Sequence, residues 1–152
     1  MALARALRGR ALGGARLLEL GCGLGLPSIV AALHGARVLA TDWSDEALQA
    51  TRANAERNGA TLDVLRLDWN DPDGVLDLAP FDLVLAADVL YERRLVAVVV
   101  ALLARLRSPA LLADPGRATA EPFLGLVAPV FTVHTRKDAQ PPHVALHHLH
   151  PR

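Results

Sequence analysis

The chain has 152 residues, enough for one domain that buries about 70% of the surface its unfolded form would expose. Hydrophobic residues make up 52% and aromatics only 4%, a balance suited to aliphatic helices packed on a buried sheet. Sixteen basic and sixteen acidic residues cancel, so no charge excess marks the chain for nucleic acid or an anionic membrane.

Leu3 and Leu7 lie on one face of a short N-terminal helix, and Gly9, Gly13 and Gly14 punctuate its exit. This basic start has no long apolar core and no clear cleavage site, so it reads as structure and not as a targeting segment. Arg16 to Leu20 is an apolar strand that runs into a turn with three alternating glycines, Gly21, Gly23 and Gly25. A helix follows: Pro27 suits its first turn, Ile29, Val30 and Leu33 form its apolar stripe, and Gly35 stops it. The lone cysteine, Cys22, has no internal disulfide partner, and a reducing cytoplasm is the expected setting.

Arg37 to Thr41 is the next strand, followed by Asp42-Trp43. Ser44 is placed to cap a helix with Asp45 and Glu46 in its first turn, ending at Asn58-Gly59. Leu62 to Leu67 alternates as a strand and again meets an acid and a tryptophan, Asp68-Trp69, before a turn cluster from Asn70 to Gly74. Phe81 to Ala87 is a continuous apolar strand ending in Asp88-Val89-Leu90-Tyr91.

Arg93 to Arg107 reads as a helix, although its valine-rich centre would also suit a buried strand. Its apolar run, Leu95 to Ala104, falls well short of the ~18 residues that span a bilayer. Ala110 to Ala113 is a short strand closed by Asp114-Pro115-Gly116, and Thr119 to Val127 is a weaker helix. Val130 to Arg136 and His143 to His150 are two final strands joined through Lys137 to Pro142.

Alternating strands and helices imply an α/β fold, a Rossmann-like doubly wound sheet that is mainly parallel, with ligands at the carboxyl ends of the strands. The last two strands have no helix between them and are expected to add an antiparallel hairpin at one edge. No linker or repeat divides residues 1–152, so a single domain is expected.

The glycine turn by itself leaves several nucleotide-like ligands open. The dinucleotide fingerprint G-x-G-x-x-G fails, because Leu26 stands where its last glycine belongs, and a phosphate loop would need an absent G-K-[ST]. Glu19, two residues before Gly21, is an odd neighbour for phosphate and suits a ligand with a positively charged end.

The E-x-G-x-G-x-G pattern from Glu19 to Gly25 resembles motif I of the class I, seven-stranded S-adenosylmethionine-dependent methyltransferases. The resemblance continues in order over about residues 12 to 150. It implies that Asp42 holds the ribose hydroxyls, with Trp43 next to it. It also implies that Asp68 meets the adenine amino group with Trp69 beside the ring. Gly21, Cys22, Gly23, Gly25 and Ala87 complete the expected cofactor contacts, Cys22 as small pocket lining.

The acceptor side is narrower. Methyltransferases of exocyclic base amines carry [DN]-P-P-[YFW] after the fourth strand, and Asp88-Val89-Leu90-Tyr91 lacks both prolines. The D-x-x-Y pattern behind Ala86-Ala87 instead resembles family 16, which contains many protein-lysine methyltransferases and is related to nicotinamide N-methyltransferase-like proteins. That likeness implies catalytic roles for Asp88, orienting the acceptor amine or assisting its proton loss, and for the Tyr91 hydroxyl.

The leading expectation is methyl transfer to a protein lysine. A small amine as acceptor, and a non-catalytic binding module of the same fold, stay open beside it. The expected partners include no nucleic acid and no membrane, and the chain is expected to be monomeric. Arg93, Arg94 and Arg117 read as solvated helix-end charges. His143, His147, His148 and His150, on a strand, would point to both faces, so no metal is expected. Family members carry a longer segment before the first strand. The chain is therefore expected to be either a minimal member or one lacking part of the ancestral domain.

Overall fold

The computed structural model describes residues 1–152. In chain order the elements are α1 (Ala2–Leu7), β1 (Arg16–Leu20), α2 (Leu26–Leu33), β2 (Arg37–Asp42), α3 (Asp45–Arg57), β3 (Asp63–Arg66), α4 (Asp73–Leu76), β4 (Leu83–Ala87), α5 (Arg93–Leu106), β5 (Ala110–Asp114), α6 (Ala120–Val127), β6 (Phe131–Lys137) and β7 (Ala145–Pro151). The seven strands form one sheet in the order β3-β2-β1-β4-β5-β7-β6. β1 to β5 pair in parallel, and β7 inserts antiparallel between β5 and β6. The fold class expected from the sequence holds.

The two-residue period of the strands sorts the core into layers. On one face Leu18, Leu20, Val84, Ala86 and Leu112 pack against Val96, Val99, Leu102, Leu103 and Leu106 of α5 and Phe123 of α6. On the other, Leu17, Val38, Leu83, Leu85 and Leu111 meet Leu3 and Leu7 of α1 and Val30 and Ala31 of α2. The valine-rich centre of α5 is helical because its buried residues recur at helical spacing.

Some boundaries shift. Strand β4 begins at Leu83 and not at Phe81, whose ring lies under the guanidinium of Arg16. The Asn70–Gly74 turn leads into the single helical turn α4, too short to leave a periodic signal. β7 begins at Ala145, because His143 sits in a left-handed conformation (φ 56°) in the preceding turn. No helix is long and apolar enough to cross a membrane.

Chain order reverses between β1 and β4. The two strands are direct neighbours, Leu20 beside Ala86, so the turns that leave them face the same crevice. This is the switch point at which open α/β sheets bind ligands.

Candidate functional site

The glycine turn owes its path to left-handed backbone at alternate residues: φ is 67° at Gly21, 53° at Gly23 and 78° at Gly25. The three positions do different work. A Cβ on Gly23 would meet nothing within 4 Å, so this is where the backbone stands open to a ligand. A Cβ on Gly21 would touch the rings of Trp69 and the side chain of Val89, both at 3.4 Å. One on Gly25 would collide with Thr51 Cγ2 at 2.7 Å, so Gly25 lets α3 pack against the turn. Thr51 Oγ1 also donates to the Gly23 carbonyl (3.1 Å) and to Cys22 Sγ (3.3 Å).

Three of the expected contact residues turn their side chains inward: Glu19, Cys22 and Ala87. Glu19 shares the strand face of Leu17, which is covered by α2, and is only 1% exposed. Its Oε2 accepts from the Ser28 amide at 3.0 Å and from the Ser28 hydroxyl. It therefore fastens the start of α2 from beneath, with its carboxyl out of contact with solvent. Burial pushes its carboxyl up to about 8, against the opposing pull of the Ser28 bonds. The Cys22 side chain likewise packs inward on Ala40 and Leu48, and burial raises its thiol to about 11. Only its backbone belongs to the turn. Ala87 ends β4 with its methyl against the α1–α2 face of the sheet, so it too presents only backbone to the crevice.

Asp42 closes β2 and is 8% exposed. One oxygen accepts from the Gly23 amide and the other from the Ser44 amide, each at 3.0 Å. A carboxylate offers about four lone-pair sites, so each oxygen keeps capacity for one more donor. Ser44 caps α3 as its position suggested, accepting from the Ala47 amide at 3.3 Å. Asp68 accepts from the amide and side chain of Asn70, both at 2.9 Å, and these bonds hold its carboxyl below the usual range.

A cavity of about 280 Å³ opens beside these groups, with Trp43, Asp68 and Trp69 on one wall and Tyr91, Glu92 and Arg94 on the other. Trp43 is 67% exposed and Tyr91 49%. Asp88-Val89-Leu90-Tyr91 is built for that outcome. Val89 and Leu90 plug into the α5–α6 face of the core while the two polar ends remain at the surface. Asp88 itself sits in the left-handed region, φ 56°.

Asp88 is not free. Both its oxygens accept from Arg117, Oδ1 from Nε and Oδ2 from an Nη group, each at 2.8 Å. Arg117 is therefore no solvated helix-end charge. Arg94 likewise pairs with Glu92, while Arg93 is exposed. Among the histidines, His147 is buried with Nδ1 2.8 Å from Thr135 Oγ1, and His148 meets Arg10 and Arg136 on the opposite face. No group of three or more His, Cys, Asp or Glu side chains is arranged to hold a metal ion. Four residues of the site carried no sequence signal of their role: Ser28, Thr51, Asp114 and Arg117. Of these, only Asp114 shares the strand-end position of Asp42 and could have been found that way.

A family model described as lysine methyltransferase matches residues 1–114. The chain is 39% identical over 82 residues to the histone-arginine methyltransferase METTL23 of Xenopus laevis, covering 51% of this chain and 35% of that one. It is 42% identical over 88 residues to the protein N-lysine methyltransferase METTL21A of Danio rerio, covering 53% of this chain and 38% of that one. The chain thus spans little more than a third of these curated relatives. Among solved structures, magnesium protoporphyrin IX methyltransferase from Synechocystis PCC 6803 with bound SAM aligns with a TM-score of 0.71 at 21% identity, over 97% of this chain and 76% of that one. At that identity the likeness concerns the fold.

Proposed function

Because the chain belongs to the lysine methyltransferase family, we propose that it transfers a methyl group from S-adenosylmethionine to the side-chain nitrogen of a protein lysine. One observation carries this reading. The glycine turn after β1 and the Asp88–Tyr91 turn after β4 lie side by side, with Val89 3.4 Å from where a Cβ on Gly21 would stand, and one cavity is lined by Trp43, Asp68, Trp69 and Tyr91.

The residues fit the cofactor. The open face of Gly23 admits close backbone approach, as a side chain there would not. Asp42 retains acceptor capacity for hydroxyls, and the Trp43 and Trp69 rings offer flat apolar surface for a base. S-adenosylmethionine, when bound, supplies a methyl group on a positively charged sulfur. Glu19 contributes at a distance, by fixing where α2 begins and so the shape of the turn.

Transfer requires a neutral acceptor nitrogen. Its lone pair forms the new N–C bond as the S–C bonding pair returns to sulfur, and the positive charge moves to nitrogen. The proton leaves the acceptor beforehand for water at the open mouth of the cavity. The protein's contribution is alignment and exclusion of water along the line of attack. Tyr91 stands on the cavity wall, where its hydroxyl can hold the amine.

The relatives act on arginine and on lysine by their names, so the acceptor is the point to test. The chain is incubated with methyl-labelled S-adenosylmethionine and a cell extract, and the labelled residue is identified by mass spectrometry. Methyl-lysine in a protein is expected. Label on arginine, histidine or a free small amine reassigns the acceptor. Binding of S-adenosylmethionine by calorimetry without any labelled product leaves only the cofactor half of the reading.

A further inference from the structure

Arg117 lies beyond the segment that the family model matches, yet it holds the carboxylate that opens the acceptor-side turn. Its two 2.8 Å bonds to Asp88 form a bidentate pair across the ends of β4 and β5. Both partners are anchored through their backbones. The Asp88 amide donates to the Ala113 carbonyl at 2.9 Å. The Asp114 carboxylate, 3% exposed, accepts from the amides of Gly116 (3.0 Å) and Arg117 (3.2 Å). A buried acid thus shapes the turn after β5 and aims one guanidinium at one carboxylate.

We propose that Arg117 is a positioning residue for the acceptor: it fixes Asp88 and cancels its charge, so that the incoming amine meets a neutral pair. The inference rests on the methyl-transfer reading above. An unpaired carboxylate within about 4–6 Å of an amine favours the ammonium form by about 1–3 pKa units. A lysine amine, near 10.4 when free, would be held still more firmly in the form that has no lone pair. With Arg117 in place the carboxylate keeps its position and spare lone pairs, and can accept one hydrogen bond from the amine without trapping its proton.

The surrounding charges leave this assignment intact. Arg117 feels Asp88 first and Asp114 second, and both raise its pKa. On α5 and the turn before it, Glu92 is taken by Arg94, Arg93 is exposed and Tyr91 lines the cavity. Glu121 lies in the first turn of α6, and His147 of β7 feels Asp114. Asp88 and Arg117 are each about half exposed, where solvent screens the attraction between them.

The test compares pH–rate profiles for Arg117→Gln, Arg117→Lys and Asp88→Asn, with the acceptor protein identified in the extract, prepared in unmethylated form, as substrate. Arg117→Gln is expected to transfer methyl about tenfold more slowly at pH 7.5, with its profile displaced about one unit upward. It should rejoin the unaltered protein at high pH, with cofactor affinity unchanged and the acceptor's apparent KM no higher. Arg117→Lys should restore much of the neutral-pH rate, and in the Asp88→Asn background Arg117→Gln should shift nothing further. An equal loss at every pH, or a raised KM with an unshifted profile, would mark a merely structural pair and overturn the proposal. If the unaltered protein labels no acceptor at all, the methyl-transfer reading itself fails and this inference falls with it.

Discussion

Glu19 shows how one residue can belong to a motif and still play a different part from the one its charge suggests. The strand alternation that places Leu17 under α2 places Glu19 there as well, and Ser28 supplies its partners. A buried carboxyl raised to about 8 binds its proton more tightly in the folded than in the unfolded chain. Between the ordinary carboxylate range and pH 8 the folded state therefore holds more protons, and stability falls as pH rises. Each unit of displacement weighs about 1.4 kcal/mol. His147 and His148, whose pKa values burial lowers, oppose this slope near pH 6, so the clean measure is a difference between variants. Glu19→Gln keeps an oxygen for Ser28 and has no charge to bury. Its urea midpoint should gain steadily on that of the unaltered protein from pH 5 to 8. Parallel midpoints across that range would mean that Glu19 is ionised in the fold.

Elements were legible in the sequence to the degree that their signals were local. The strands, the Ser44 cap and the Gly59 stop all rest on residues within a few positions of one another. The single turn α4 had too few residues for periodicity, and β4 lost two residues at its start because Phe81 packs outside the ladder. The site was legible on the same terms. Asp42, Asp68 and Tyr91 stand at the crevice because strand ends put them there. The pairing of Asp88 with Arg117 spans 29 residues and a strand crossing, and nothing local announces it. Gly25 and Thr51 are a further long-range pair, and they yield a prediction about how α3 docks on the glycine turn. Gly25→Ala forces a Cβ to within 2.7 Å of Thr51 Cγ2 at φ 78°. The backbone conformation alone should cost about 1–2 kcal/mol, and the clash adds to it. Gly25→Ala with Thr51→Ser, which removes the methyl but keeps Oγ1 at 2.9 Å, should recover only part of the clash and none of the backbone cost in urea unfolding. Full recovery would show that backbone strain at this turn is negligible.

Across the whole molecule, the groups proposed to bear on function converge at the carboxyl ends of β1 to β5. The opposite ends carry the closing turns of the core. The distribution of aromatics follows this polarity: the chain has two tryptophans, and both line the cavity that Tyr91 also lines. Intrinsic fluorescence excited at tryptophan therefore reports on that crevice and on nothing else in the protein. If the cofactor seats there, titration with S-adenosylhomocysteine should change the emission and saturate at the stoichiometry found by calorimetry. Trp43, largely exposed, should lose solvent contact on binding, while Trp69, partly buried against the core, is already packed and should change less. Trp43→Phe should accordingly remove most of the signal while keeping an aromatic face, and Trp43→Ala should weaken binding by the ~1–3 kcal/mol characteristic of a lost base–aromatic stack. Trp69→Phe should leave most of the signal in place. Calorimetric binding that leaves both tryptophans silent would put the ligand elsewhere on the sheet, and the crevice at the β1–β4 switch point would lose its claim to be the cofactor site.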